Sequence, residues 1–468
     1  MMETGFKMPH EIVLSIGESF AELLAYSADP TAPAYRNRWY LPRKSLSDGL
    51  KEALKSLSLE ETTEPSMRLT VATSAVERIL SQNQGRSPAV LVNTGFENSI
   101  HLVNQFTTPP FSFRAERHSL PAEQDFIFGV SGKIAADGSE TAPLRVEDLE
   151  QIAAKLELLK TTDVAIVFHH SHRNPQHELQ ASEFLRARGF RTVMSHKMPE
   201  ENKLQLTIEA AFAESAVIEE KEEIEGALKT VVKEWRVFGR GGLHAWSDYS
   251  AATVRDGMKT AFQGFTNEGT PLVLHCGLDE FSVYSREDTM IATSRRIRPT
   301  QLVVHGAWPY PFFGEASCEY APGPMLFGKS QMLAAIDTLF VCNHLKEIEG
   351  FTPLISEKSR SRILEALFTL AKTADTSVKS SPEPINVAKS LVRAFVEQIA
   401  VQLQLSGLAN AGAKVQLIGP LAETMQPLLA ERRRDLEFKC EPYANWGETV
   451  AIAKAGRVGN SHSVTENS

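Results

Sequence analysis

The octapeptide SIGESFAE, residues 15–22, sits between two short apolar runs and has the outline of a phosphate-binding hairpin. In such a hairpin a Gly-containing turn offers backbone N–H groups to an anion. Ser15 closes the first run, Gly17, Glu18 and Ser19 make the turn, and Glu22 brings a carboxylate on the second run. The device recurs as HCGLDEFS, residues 275–282, where His275 closes a run, Gly277 opens the turn and Asp279 supplies the acid. Gly306 heads a Gly- and Pro-rich stretch reaching residue 328, and Gly419 stands between an apolar run and Pro420. Both mark further turns at strand ends.

A different chemistry is open to His169, His170, His172 and His177, crowded at the end of one apolar run. Alternate residues of a strand face the same way, so His170 and His172 could share a metal, with Glu178 and Asp163 as the nearest carboxylates. Packing and helix capping by the same turn is the competing reading. His244, Trp246 and Asp248 follow a Gly pair and read as a loop anchor. Asp337, among apolar residues of a helical stretch, can serve by hydrogen bonding within the fold. There is no G-x-S-x-G elbow and no H-E-x-x-H helix, so nucleophilic catalysis and zinc hydrolysis have no support.

These residues need a layered α/β frame. Strand patterns at residues 11–14 and 21–26 make the first hairpin, and those at 271–275 and 281–284 make the second, which suggests two related halves. Between them strands and helices alternate: a strand at 68–72, a helix at 74–82, strands at 89–92 and 125–132, a helix at 146–159 and a strand at 164–168. A helix at 176–188 and a strand at 191–195 then complete a β-α-β unit. A helix after Glu200 carries the charge run 219–225 on a solvated face and is expected to continue through residues 227–235, with a further helix at 251–262. Long helices at 357–372 and 387–405, a strand at 414–418 and a helix at 422–432 close the chain, and residues 456–468 are polar.

With 468 residues, 42% of them hydrophobic, the chain can bury one or two large cores, so two or three domains are expected. A formal net charge of −9 gives no electrostatic reason for a nucleic-acid or anionic-membrane partner. The four cysteines are scattered without a C-x-x-C pair, which argues against a zinc cage or disulfide framework. No signal peptide and no membrane-spanning run is evident, so a cytoplasmic location is expected.

Several segments fall in register with one family. LTVATSAVERILSQNQGRSPAVLVNTGFEN, residues 69–98, resembles the N-terminal domain of the hydantoinase A and oxoprolinase family, with its T-T-V-A-T-N-A-L-L-E-R-x-G and T-x-G-F-x-D segments. VFHHSHRNPQHE, residues 167–178, is similar to H-S-x-x-N-P-x-H-E; SHKMPEEN, residues 195–202, to S-x-x-x-P-E-x-R-E; and the stretch 320–340 to D-P-G-P-A-C-Y-G followed by T-D-A-N-L, which aligns Asp337.

The resemblance implies an α/β actin-like or hexokinase-like ATPase fold, two ribonuclease-H-like halves with a cleft plus an inserted helical region. It implies a family N-terminal domain over residues 10–200, a second domain over 201–457 and a disordered tail at 458–468. It also implies ATP and Mg²⁺ as cofactors, a small cyclic amide such as 5-oxoproline or a hydantoin as substrate, and a homo-oligomer or a partner large subunit. The family's hairpins read D-I-G-G-T-F-T-D and D-M-G-G-T-S-T-D. Here Ser15 and His275 replace the leading Asp, Glu18 and Leu278 replace a Gly, and Ser282 replaces the closing Asp of the second. A serine cannot hold hydrated Mg²⁺ as a carboxylate does, and Glu18 sets a charge and a Cβ where phosphate should meet bare backbone. The loop at Gly306 carries Trp308, Pro309 and Pro311 in place of glycines, and Gly419-Pro420 is what remains of the adenosine-side turn. The expectation is a retained fold with an eroded nucleotide site; if the chain is still a hydrolase, it binds nucleotide through a rearranged cleft with Glu22, His275 and Asp279 as candidate substitutes for the lost carboxylates. The alternative is a non-catalytic subunit that pairs with a competent hydrolase or carboxylase subunit.

Overall fold

The computed structural model describes residues 9–17, 20–27, 29, 31–41, 44–59, 65–81, 85–98, 121–198, 203–239, 242–249, 272–277, 281–285, 335–345, 348–349, 357–374, 383–405, 409–447, 449–450 and 452–454. The chain divides into two compact units. Unit 1 comprises Met1–Thr73, Ile224–Ser247 and Asp256–Ser468, and unit 2 comprises Ser74–Glu223 with Asp248–Arg255. The domain junction expected between residues 200 and 201 lies outside the described residues.

The chain opens with β1 (Glu11–Ile16), β2 (Phe20–Tyr26) and β3 (Tyr35–Tyr40), an antiparallel meander, then α1 (Leu46–Ser56) and β4 (Met67–Thr73), which lies parallel to β1. Ser45 starts α1 by accepting the Asp48 N–H at 3.1 Å, the capping that short hydroxyl side chains give an orphan helical N–H. Unit 2 follows with α2 (Ala75–Ser81), β5 (Ala89–Asn93), β6 (Ile127–Val130), β7 (Lys133–Ile134), β8 (Glu140–Ala142), α3 (Val146–Leu159), β9 (Asp163–Val167), α4 (Gln176–Arg186), β10 (Arg191–Met194) and all but the last turn of α5 (Lys203–Leu228), which from Ile224 belongs to unit 1. The rest comprises β11 (Val232–Gly239), β12 (Gly242–Ala245), β13 (Leu272–Cys276), β14 (Phe281–Ser285), α6 (Ala335–Val341), α7 (Glu357–Ala374), α8 (Pro384–Leu405), β15 (Lys414–Ile418), α9 (Ala422–Arg432) and β16 (Glu437–Cys440).

Unit 1 holds two sheets built to one plan. The first has the order β12-β11-β4-β1-β2-β3 and the second β14-β13-β15-β16. In each, an antiparallel hairpin (β1–β2, β13–β14) lies beside a parallel strand (β4, β15) and then a second parallel strand (β11, β16). The antiparallel hairpin followed by two parallel strands is common to both sheets and follows the ribonuclease-H-like order, which bears out the two related halves; the first sheet adds β3 and β12 at its edges. Val13 and Leu24 from the first sheet join Val273 and Ile418 from the second, with Trp446, in one buried cluster. The helices α6, α7 and α8 pack on the second sheet through Leu339, Leu367, Phe395 and Ile399.

One expected helix is a strand instead. The helical pattern extended through residues 227–235 ends at Leu228, and β11 begins at Val232. The segment is rich in β-branched and aromatic residues, and parallel pairing with β4 buries Val237 and Phe238, so sheet packing overrides the charge-derived helical continuation. The helix expected at 251–262 lies outside the described residues. No helix among the described residues is long and apolar enough to cross a membrane.

Unit 2 centres on a four-stranded parallel sheet of order β10-β9-β5-β6. Its strands read AVLVN, IFGV, DVAIV and RTVM, and β5 and β9 are buried along their whole length. A parallel sheet covered on both faces selects such continuous apolar runs. Helices α3 and α4 supply Leu149, Ile152, Leu156, Ala181 and Leu185 to one core, while Ile208 and Ala211 of α5 meet Val90, Val92, Ala165 and Val167 in another.

Candidate functional site

The first hairpin is tightly closed: the Gly17 N–H donates to the Phe20 carbonyl at 2.8 Å, and Ser15 stands directly across the ladder from Glu22. Glu18 and Ser19, the two turn residues, lie outside the described residues. Glu22 is buried, and its carboxylate is engaged at both oxygens. Arg38 Nε donates to Oε1 at 2.7 Å, and Thr449 Oγ1 donates to Oε2 at 2.7 Å. Arg38 spends its other nitrogens on the carbonyls of Glu349 (2.7 Å) and Asn445 (2.6 Å), and its guanidinium lies over the Trp446 ring at 4.3 Å. The arrangement compensates a buried charge fully, as a low-dielectric site demands.

In the second hairpin, His275 is buried on β13 opposite Ser282, and Gly277 is buried just past the strand. Asp279 and Gly306 lie outside the described residues. The structure does bring His275 and Gly419 together. Gly419 has φ +101°, and a Cβ there would fall 2.7 Å from the Cys276 carbonyl oxygen and 2.9 Å from the His275 ring. The Leu421 N–H donates to that same carbonyl at 3.0 Å, and the Gly419 N–H to Ala444 at 2.7 Å. Glycine is needed here for both its conformation and its lack of a side chain. Burial pushes the neighbouring Cys276 thiol well up, with a smaller contribution from Cys440, whose own thiol burial and then Glu423 raise to about 11. Both thiols are protonated at neutral pH.

In unit 2 the histidine-rich turn follows β9. His169 and His172 are exposed and His170 half-buried, with the His170 and His172 ring centroids 6.4 Å apart. Glu178 and Asp163, the carboxylates nearest in sequence, are occupied elsewhere. Asp163 accepts from Arg191 at 2.6 Å and from Ser215 at 3.0 Å. Glu178 is completely buried at the start of α4: Oε1 accepts from the Phe168 N–H (3.0 Å) and Ser195 Oγ (2.5 Å), and Oε2 from the His196 N–H (2.9 Å) and His196 Nδ1 (2.7 Å). Burial alone would push its pKa up, but these four donors outweigh it and hold the carboxyl below its ordinary value. Among the described residues no three His, Cys, Asp or Glu side chains converge to hold a metal ion.

Residues 30–189 match the hydantoinase/oxoprolinase N-terminal region. That region, about a third of the chain, is similar to the N-terminal part of hydantoinases and oxoprolinases. No curated protein matches it in sequence. Among solved structures it is similar to an acetone carboxylase in its nucleotide-free form, from work on ATP-dependent acetone carboxylation: TM-score 0.72 and 15% identity, over 96% of this chain and 70% of that one. It is also similar to the ATP-dependent caprolactamase of Pseudomonas jessenii, with TM-score 0.61 and 16% identity over 95% of this chain and 70% of that one. At such identities the likeness shows the fold alone, and it agrees with the α/β fold of two related halves expected from the sequence.

Two of the segments that carried the resemblance meet at Glu178: Ser171 and Glu178 come from one, Ser195 and His196 from the other, with the Ser171 and Ser195 hydroxyls 3.1 Å apart. The turn residues Asn174 and His177 are likewise spent on the fold, Asn174 Nδ2 donating to the Gly138 carbonyl at 2.9 Å and His177 Nε2 lying 2.7 Å from Glu140. Sequence reasoning passed over Arg38 and His196. Arg38 was detectable as a cation immediately before the apolar pair Trp39-Tyr40 on a strand, whereas nothing local marks His196. Trp246, read as a loop anchor, packs 5.2 Å from Trp235, and Asp337 is fully buried on α6.

Proposed function

We propose that this chain descends from ATP-dependent cyclic-amide hydrolases of the 5-oxoproline and hydantoin type, and that its nucleotide site has eroded while the fold was kept. One observation carries the reading: at the first hairpin, Ser15 replaces the family carboxylate and Glu22, across the ladder, gives one oxygen to Arg38 and the other to Thr449. A carboxylate engaged this way cannot take up hydrated Mg²⁺ without leaving Arg38 buried and unpaired. The family's phosphate turn, with Glu18 where a glycine would stand, adds repulsion to that loss. The retained architecture then serves as a non-catalytic subunit beside a competent hydrolase or carboxylase subunit.

The test is calorimetric titration with ATP and Mg²⁺ of the natural chain and of a Ser15→Asp/Glu18→Gly variant. No saturable heat from the natural chain is expected. Saturable binding in the micromolar range would overturn the eroded-site reading and leave an active cyclic-amide hydrolase, with 5-oxoproline and hydantoin as the first substrates to assay.

A further inference from the structure

We draw no further inference here: the strongest candidate, the Glu178–His196 side-chain pair just past β10 in unit 2, belongs to the hydrogen-bond network already described, and nothing among the described residues shows what the far side of the His196 ring would bind.

Discussion

Glu22 in unit 1 and Glu178 in unit 2 are both buried glutamates near strand ends, and they are neutralised in opposite ways. Glu22 meets a full cation, Arg38, and a hydroxyl from Thr449, 427 residues away in sequence. Among the described residues Glu178 meets no Arg or Lys; two backbone N–H groups, one serine and one imidazole surround it, all from within 18 residues. Charge compensation therefore fastens the first hairpin to the far end of the chain, while hydrogen-bond compensation locks a local β-α-β unit. The first glutamate is thereby spent on stability, its two oxygens held by Arg38 and Thr449. The second shows how residues that look catalytic in a sequence, a His-Ser turn and a Glu, can be consumed in building the turn itself.

The largest effect should come from breaking the first arrangement. Arg38→Met leaves Glu22 buried without its cation, and removing one partner of such a pair costs about 3–5 kcal/mol. Replacing both, as Arg38→Met/Glu22→Leu, should recover most of that loss, since the desolvated charge goes as well. Urea denaturation of the two variants and the natural chain measures both numbers. A single-variant cost below about 1 kcal/mol would mean that Glu22 is solvated in solution and free for a ligand, which would also weaken the eroded-site reading.

Glu178→Gln tests the second arrangement at nearly constant volume. Each carboxylate oxygen accepts two donors, one of them a backbone N–H, so whichever position the amide nitrogen takes, it faces the Phe168 or the His196 N–H, neither of which can accept from it. The expected cost is about 2–3 kcal/mol, read as a lowered midpoint of unfolding. A cost near zero would show that the network is satisfied by water rather than by the carboxylate.

Much of this frame was legible in the sequence. The two hairpins, the helix at Val146–Leu159, the strand at Lys414–Ile418 and the helix at Ala422–Arg432 were visible because period and punctuation agree there: apolar runs bounded by Gly or Pro. The strand β11 was not, because an acidic run argued for helix on one side while the parallel partner β4, more than 150 residues earlier, is invisible to local reading. The same limit hid the site residues. Replacement of the family carboxylate by Ser15 can be read directly, but that Glu22 is paired with Arg38 depends on a register across β2 and β3 and on Thr449 arriving from the other end of the chain. His196 carries no signal until Glu178 is placed against it.

The turn at Gly419 sharpens the contrast within unit 1, because there the requirement is for an absent side chain rather than for a charge. Gly419→Ala puts a methyl 2.7 Å from the Cys276 carbonyl at a φ of +101°, so either β13 or the turn must move. A loss of about 2 kcal/mol is expected, measured by thermal unfolding, and a Gly277→Ala control separates this contact from a general intolerance of the second hairpin. Equal losses in the two variants would remove the special standing of Gly419.

The smallest effect is a pH dependence peculiar to Glu178. Its carboxyl titrates below the ordinary glutamate value in the folded chain, because the donors from His196, Phe168 and Ser195 outweigh burial. A folded-state pKa depressed below the unfolded one makes a contribution to stability that is complete above the unfolded value, about 4.3, and is lost as pH falls through the folded value. Glu178→Gln has no such group to titrate. The stability gap between the natural chain and this variant should therefore be constant near neutrality and narrow on acidification below about pH 4. Unfolding free energies of both chains at a series of pH values give the gap directly. A gap that stays constant into the acid would mean the carboxylate gains nothing from its four donors, and the comparison with Glu22 would reduce to one compensated charge instead of two.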